Sequence, residues 1–141
     1  KELINKILNE TDLNILLTGD KNEQEYFKFF YPLNERVFDL SGKTTIPELI
    51  TIMKLSNCVI ATDSGSVHIA GASAKKVISI HGPTNHYQSS PYKTQENNIK
   101  VASLNLPCSP CYDTPEIKSC PKNICMYDLS AEQVFNLFAS P

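Results

Sequence analysis

Between Ala61 and Gly71 the sequence reads ATDSGSVHIAG, an acid, two serine hydroxyls, two glycines and an imidazole directly after the apolar run CVIAT. An apolar run closed by small polar residues and followed by a weakly apolar stretch is the pattern of a strand that turns into a helix. At such a turn the backbone N–H groups of Ser64, Gly65 and Ser66 could point outward at the start of the helix, where they and the helix dipole favour an anion. Gly65 would allow a tight bend and close approach of a ligand. His68, about one turn into the helix, could reach the same anion. Asp63 would repel a phosphate, so its better roles are bonding sugar hydroxyls or fixing the N–H groups of the turn. The alternative is that Asp63 or Ser64 caps the helix and His68 lies on the surface.

A second concentration of reactive side chains lies further on. Of five cysteines, Cys58 stands apart in an apolar run, whereas Cys108, Cys111, Cys120 and Cys125 follow the spacing C-x2-C-x8-C-x4-C. Four cysteines are the number a structural zinc site requires, and C-x2-C is common zinc spacing. Pro110 inside the first pair and the overall spacing match no standard zinc pattern, so a zinc staple, free thiols and a labile disulfide all stay open. Two other motifs fail. SGKTT (41–45) resembles the end of a phosphate-binding P-loop, but the first glycine of G-x-x-x-x-G-K-[ST] would fall at Val37. Asp63, Ser64 and His68 have the residue types of a hydrolase triad, but Thr62 stands where a nucleophile elbow needs glycine.

The elements that must position these residues alternate along the chain. Leu3, Ile4, Ile7 and Leu8 have helical spacing, and LNILLT (13–18) is a short apolar strand before Thr18-Gly19-Asp20. NEQEYFKFFY (22–31) predicts a helix with Tyr26, Phe27, Phe30 and Tyr31 on one face, stopped by Pro32. RVFDL (36–40) is a strand. Thr45 and Glu48 form a capping box for a helix that carries Ile46, Leu49, Ile50 and Met53 on one face and breaks near Ser56-Asn57. CVIAT (58–62), a helix over 67–74, VISIH (77–81), a Gly-Pro turn and a strand near 99–103 follow. Residues from about 105 to 128 read as irregular, before a closing helix over SAEQVFNLF (130–138). Short apolar strands alternating with helices predict an α/β fold, a Rossmann-like parallel sheet with helices on both faces. Ligands of such sheets bind at the carboxyl ends of the strands, which is where residues 63–68 fall.

Length and charge narrow the partners. The 141 residues predict one domain over 1–141. A net charge of −2 offers no basic field for nucleic acid or an anionic membrane. No apolar run approaches the roughly 20 residues of a membrane span, and no signal-peptide pattern opens the chain. The first residue is Lys rather than Met, which points to a piece of a longer protein.

From Asp39 to Thr84, DLSGKTTIPELITIMKLSNCVIATDSGSVHIAGASAKKVISIHGPT resembles the C-terminal domain of glycosyltransferase family 9, the lipopolysaccharide heptosyltransferases. The resemblance continues through SSPY and the cysteine segment LPCSPCYDT and SCPKNICMYDLSAEQV. It implies the C-terminal half of a GT-B enzyme that binds a nucleotide-sugar donor, typically ADP-heptose, and requires no metal or other cofactor for catalysis. Asp63, Ser64, Gly65 and His68 match the family's D-[ST]-G-x-x-H donor motif, and Ser66 adds a hydroxyl. Glu23 falls where such enzymes place an acid against the ribose hydroxyls; its alternative is a charge at a helix start. Gly82 and Thr84 belong to the family's G-P-T turn, which commonly continues Asp-Pro but here continues Asn85-His86. His81 and His86 could reach the same cleft or be structural. The lipopolysaccharide-core acceptor and the general base are expected on a domain preceding Lys1, so the isolated chain is expected to be inactive. The resemblance further implies a cytoplasmic enzyme with at most peripheral contact at the inner membrane. The competing class is a structural zinc-binding or thiol interaction module.

Overall fold

In the computed structural model, which describes residues 1–141, helices and short parallel strands alternate as the pattern predicts. In chain order they are α1 (Glu2–Glu10), β1 (Ile15–Leu17), α2 (Gln24–Phe27), β2 (Val37–Asp39), α3 (Ile46–Leu55), β3 (Val59–Thr62), α4 (Gly65–Ser73), β4 (Lys76–Ile80), α5 (His86–Ser89), β5 (Asn98–Ala102), α6 (Glu116–Ser119), α7 (Ile124–Tyr127) and α8 (Ala131–Ala139). The strands divide between two parallel sheets, β1–β2 and β3–β4–β5, rather than forming one. The chain correspondingly forms two compact units, residues 1–49 and 50–141. No helix is long and apolar enough to cross a membrane.

In the first unit β1 and β2 pair with Ile15 opposite Val37 and Leu17 opposite Asp39. Ile7, Leu8 and Val37 are buried. The guanidinium of Arg36 ties α1 to this sheet by donating to the carbonyls of Leu8 and Thr11, so the helix end is satisfied by a side chain from the strand. SGKTT forms a tight turn. Gly42 has φ +65, a conformation that favours glycine, and Lys43 Nζ donates to the Asp39 carbonyl at 2.7 Å, turned back onto the protein's own backbone.

The predicted aromatic helix over 22–31 is broken. A 3-10 turn at Lys21–Glu23, the four-residue α2 and a second 3-10 turn at Lys28–Phe30 replace it. Tyr26, Phe29 and Tyr31 are exposed, and none of these short elements buries a residue, so no apolar face holds the segment in helical register.

In the second unit β4 is central, with Val77 opposite Val59 and Ile99. Val77, Ile78 and Ser79 are consecutive and all fully buried, and successive strand residues point to opposite faces, so this strand is covered on both sides. Helix α4 packs on β3 and β4, and α8 on β4 and β5. Val67 and Ala70 from α4 and Val134 and Phe135 from α8 supply the apolar contacts. A capping box between Ser130 and Gln133 starts α8. The closest approach lies elsewhere: a Cβ added at Gly71 would sit 2.5 Å from Pro91 Cβ, so α4 and the segment after α5 meet only because residue 71 has no side chain. Two short helices, α6 and α7, interrupt the segment over 105–128 that the sequence predicts to be irregular.

Candidate functional site

Strand β3 ends at Thr62, and the Asp63 amide continues the ladder by donating to the Ile80 carbonyl at 3.0 Å. Ser64 is extended, and α4 begins at Gly65, two residues before the predicted start. Ser64 occupies the cap position but makes no capping bond. Its hydroxyl lies 2.8 Å from Ser66 Oγ and donates to the Thr62 carbonyl at 3.2 Å. Asp63 does not cap the helix either. Its carboxylate accepts from Ser89 Oγ at 2.9 Å and from the Thr84 hydroxyl, and lies 3.5 Å from His81 Nδ1. The expectation that Asp63 fixes the N–H groups of the turn is therefore corrected: long-range partners draw it away from them. Neither side chain covers the start of α4, so its first amides stay open to an anion.

Gly65 is also not the bend that the sequence suggests. It does not adopt a positive φ, so the turn does not demand glycine on backbone grounds. What its missing side chain leaves is space, since a Cβ there would meet nothing within 4 Å. His68 is exposed, close enough to influence both Asp63 and His81 electrostatically.

The Asp63 carboxyl is subject to opposed influences. Partial burial raises its pKa, but hydrogen bonds from Thr84 and Ser89 and the neighbouring His81 and His68 prevail and hold it below the ordinary carboxylate value. His81 is fully buried, with Nε2 2.6 Å from Ser79 Oγ and Nδ1 3.2 Å from Thr84 Oγ1. Burial lowers its pKa, His86 and His68 push the same way, and the opposing pull of Asp63 does not restore it. His81 is thus a structural residue that positions Asp63 and Thr84. His86 is half-buried and stacks beside Tyr87, ring centroids 4.2 Å apart.

The Gly82-Pro83-Thr84 turn is the seat of the cysteine segment. Gly82 is buried, and a Cβ there would lie 2.6 Å from Met126 Cγ and Sδ and 3.2 Å from Cys125 Sγ, so the space it leaves is filled by Met126. Ser109 Oγ donates to the Gly82 carbonyl at 2.7 Å, and the amides of Cys111 and Tyr112 both donate to the Pro83 carbonyl, at 2.8 and 3.0 Å. This docking leaves a cavity of about 490 Å³ between Asp63, Thr84 and Ser89 on one side and Pro110, Tyr112, Asp113 and Thr114 on the other. A smaller one of about 230 Å³ lies beside Asn85, His86 and Asn105. Sequence reasoning missed Ser89 and residues 112–114, because segments 26 or more residues distant carry no local spacing signal; SSPY held Ser89 without indicating its partner.

The four-cysteine zinc set is not assembled. All five cysteines are free thiols, and no three His, Cys, Asp or Glu side chains are grouped so as to hold a metal ion. The four sulfurs have different surroundings. Cys125 is buried and donates to Asn123 Oδ1, Cys108 and Cys120 are exposed, and the amides of Lys122, Asn123 and Ile124 hold the Cys120 thiol pKa below its usual value. Burial pushes the remote Cys58 thiol up to about 11.

Glu23 belongs to the first unit, where it starts a helical turn. Its Oε2 accepts from the Asp20 amide at 2.8 Å, and Asp20 Oδ1 accepts from the amides of Asn22 and Glu23, completing a capping box. This is the helix-start role that its sequence position allows.

The model of Glycosyltransferase family 9 (heptosyltransferase) matches residues 1–121. The chain belongs to glycosyltransferase family 9. Among the family's curated members, the lipooligosaccharide heptosyltransferases 2 of Campylobacter jejuni serotypes O:2 and O:6 are 36% and 37% identical over 128 and 127 residues, 86% and 85% of this chain. The chain spans 38% of the length of each. A lipooligosaccharide heptosyltransferase 2 from Haemophilus influenzae is 30% identical over 74 residues, 52% of this chain and 21% of its own. In fold, the family 9 chain is similar to the solved E. coli ADP-heptose lps heptosyltransferase II, with a TM-score of 0.64 over 96% of this chain and 39% of that one, at 18% identity. Parallel sheets flanked by helices are thus the shared architecture, that of a GT-B enzyme.

Proposed function

We propose that this family 9 chain is the C-terminal, donor-binding part of a heptosyltransferase that moves a heptose or related sugar from ADP-heptose to the lipopolysaccharide core. Two solved or curated relatives carry the corresponding words in their names, ADP-heptose in one and lipooligosaccharide in the other. The observation that carries the reading is the uncapped start of α4, with the Ser64 hydroxyl turned to Ser66 and Thr62, Asp63 tied to Ser89, and His68 exposed one turn in. In transfer, the acceptor hydroxyl attacks the anomeric carbon, the bond from that carbon to the diphosphate breaks, and ADP leaves carrying the charge. The acceptor proton passes to a base outside this chain. The α4 amides and His68 stabilise the charge on the leaving diphosphate, so the reading calls on no metal. Asp63, with a depressed pKa, stays anionic and accepts from donor sugar hydroxyls beside Thr84. The enzyme would work at the cytoplasmic face, with at most peripheral membrane contact and no nucleic acid partner.

Titration of the intact protein with ADP and adenosine tests this. ADP binds more tightly, and His68→Ala weakens ADP by about 1.5–3 kcal/mol, the range of a hydrogen bond to a charged group, with adenosine unaffected. An ADP affinity that His68→Ala leaves unchanged would reduce the turn to a plain helix start.

A further inference from the structure

The cavity of about 490 Å³ has two walls of different origin. One is the carboxyl end of the sheet, with Asp63 after β3, Thr84 after β4 and Ser89 at the end of α5. The other is the cysteine segment, which contributes Tyr112 and Asp113 and is held by main-chain acceptors: the Gly82 carbonyl takes Ser109 Oγ, and the Pro83 carbonyl takes two amides. The packing of Met126 into the space at Gly82 fixes the same segment a second time. The second wall is therefore seated, not a loop passing by.

The chemistry of the lining decides what fits. It contains two carboxylates, hydroxyls and side-chain amides, with neither Lys nor Arg. A diphosphate between Asp63 and Asp113 would meet like charge on both sides, whereas a neutral polyol presents hydroxyl donors that carboxylates accept well. The volume lies within the usual range for small-molecule sites. Asp63 is already engaged by Ser89 and Thr84, but the Asp113 carboxylate is exposed and unpaired within the protein.

We propose that the cysteine-bearing segment forms the outer wall of the sugar pocket, and that Asp113 selects the glycosyl group of the donor by accepting hydrogen bonds from its hydroxyls. The inference rests on the donor-binding reading above and adds to it the residue that discriminates between sugars. The four cysteines then belong to the scaffold of a specificity element. Calorimetric titration of the intact protein with ADP and with ADP-heptose, for wild type, Asp113→Asn and Asp113→Ala, separates the two claims. Asp113→Ala should weaken ADP-heptose about tenfold and Asp113→Asn less, while ADP binds all three proteins alike. ADP-heptose affinity unchanged in Asp113→Ala, or ADP weakened by the same factor, overturns the role of Asp113 and leaves the donor-binding reading standing. A wild type that binds neither ligand overturns both.

Discussion

Two turns in this chain follow the same local recipe and end differently. After β1 the sequence runs Gly19-Asp20, and after β3 it runs Asp63-Ser64-Gly65; each joins a short apolar strand to a helical element. At the first, Asp20 and Glu23 satisfy one another's amides in a capping box, and the space beside Gly19 is filled by Glu23 Oε2 at 2.7 Å and Phe27 Cε2 at 2.9 Å from a built Cβ. At the second, the cap is missing and the space beside Gly65 is empty. The difference lies in where the aspartate points. Asp20 has only near neighbours to serve, whereas Asp63 is claimed by Ser89, Thr84 and His81. A strand-to-helix turn becomes a binding candidate when tertiary partners remove its own cap.

The strongest way to break this comparison is to remove the claimed aspartate. Asp63→Ala should cost about 1–3 kcal/mol in urea unfolding, because the hydroxyls of Ser89 and Thr84 and the buried His81 lose a partner. Acid should work on the same cluster. A histidine whose folded pKa lies below its unfolded value of 6.5 contributes stability present above pH 6.5 and lost as pH falls through the folded value; Asp63, also depressed, adds a further loss below 3.8. The urea midpoint should therefore fall between pH 7 and pH 5, and a flat profile would argue that His81 is not held neutral.

Removing the other aspartate sharpens the contrast. Asp20→Ala should cost about 1 kcal/mol, the usual worth of an N-cap, and should leave ADP affinity alone. Calorimetry showing weaker ADP binding in that variant would make the two turns one functional unit. The smallest effect belongs to Gly65→Ala, within about 0.5 kcal/mol of wild type in thermal unfolding, since the added methyl group meets open space and the backbone is unstrained. A drop as large as that of Asp20→Ala would mean that the turn is as closed as its counterpart.

Much of this was legible in the sequence. Strands β1 to β5, the helix begun at Thr45 and the Asp63–His68 turn all follow from contacts within a few residues, where spacing and capping chemistry operate. The aromatic helix failed because spacing shows which side chains share a face but not whether anything covers that face; Tyr26 and Phe29 stay exposed. The cysteine spacing leaves zinc, thiols and a disulfide open, and the free thiols of the structure are one of those readings; C-x2-C fixes a separation along the chain, while Asn123 and Gly82 decide where Cys125 sits. Ser89 and Asp113 were invisible because they reach Asp63 and its cavity only after the sheet has formed.

The attachment of residues 109–112 through the carbonyls of Gly82 and Pro83 has an evolutionary consequence. Every residue except proline offers a main-chain amide, so the two amides given to Pro83 persist whatever side chains stand at 111 and 112. The identities at 112–114 are then free to drift while their mounting stays in place. Gly82 is the opposite case: any side chain there would collide with Met126, so mutational tolerance should change abruptly between the socket and the piece it holds. A library randomised at 112–114 on an unaltered Gly82-Pro83-Thr84 turn is accordingly where altered sugar preference would be sought without loss of the fold.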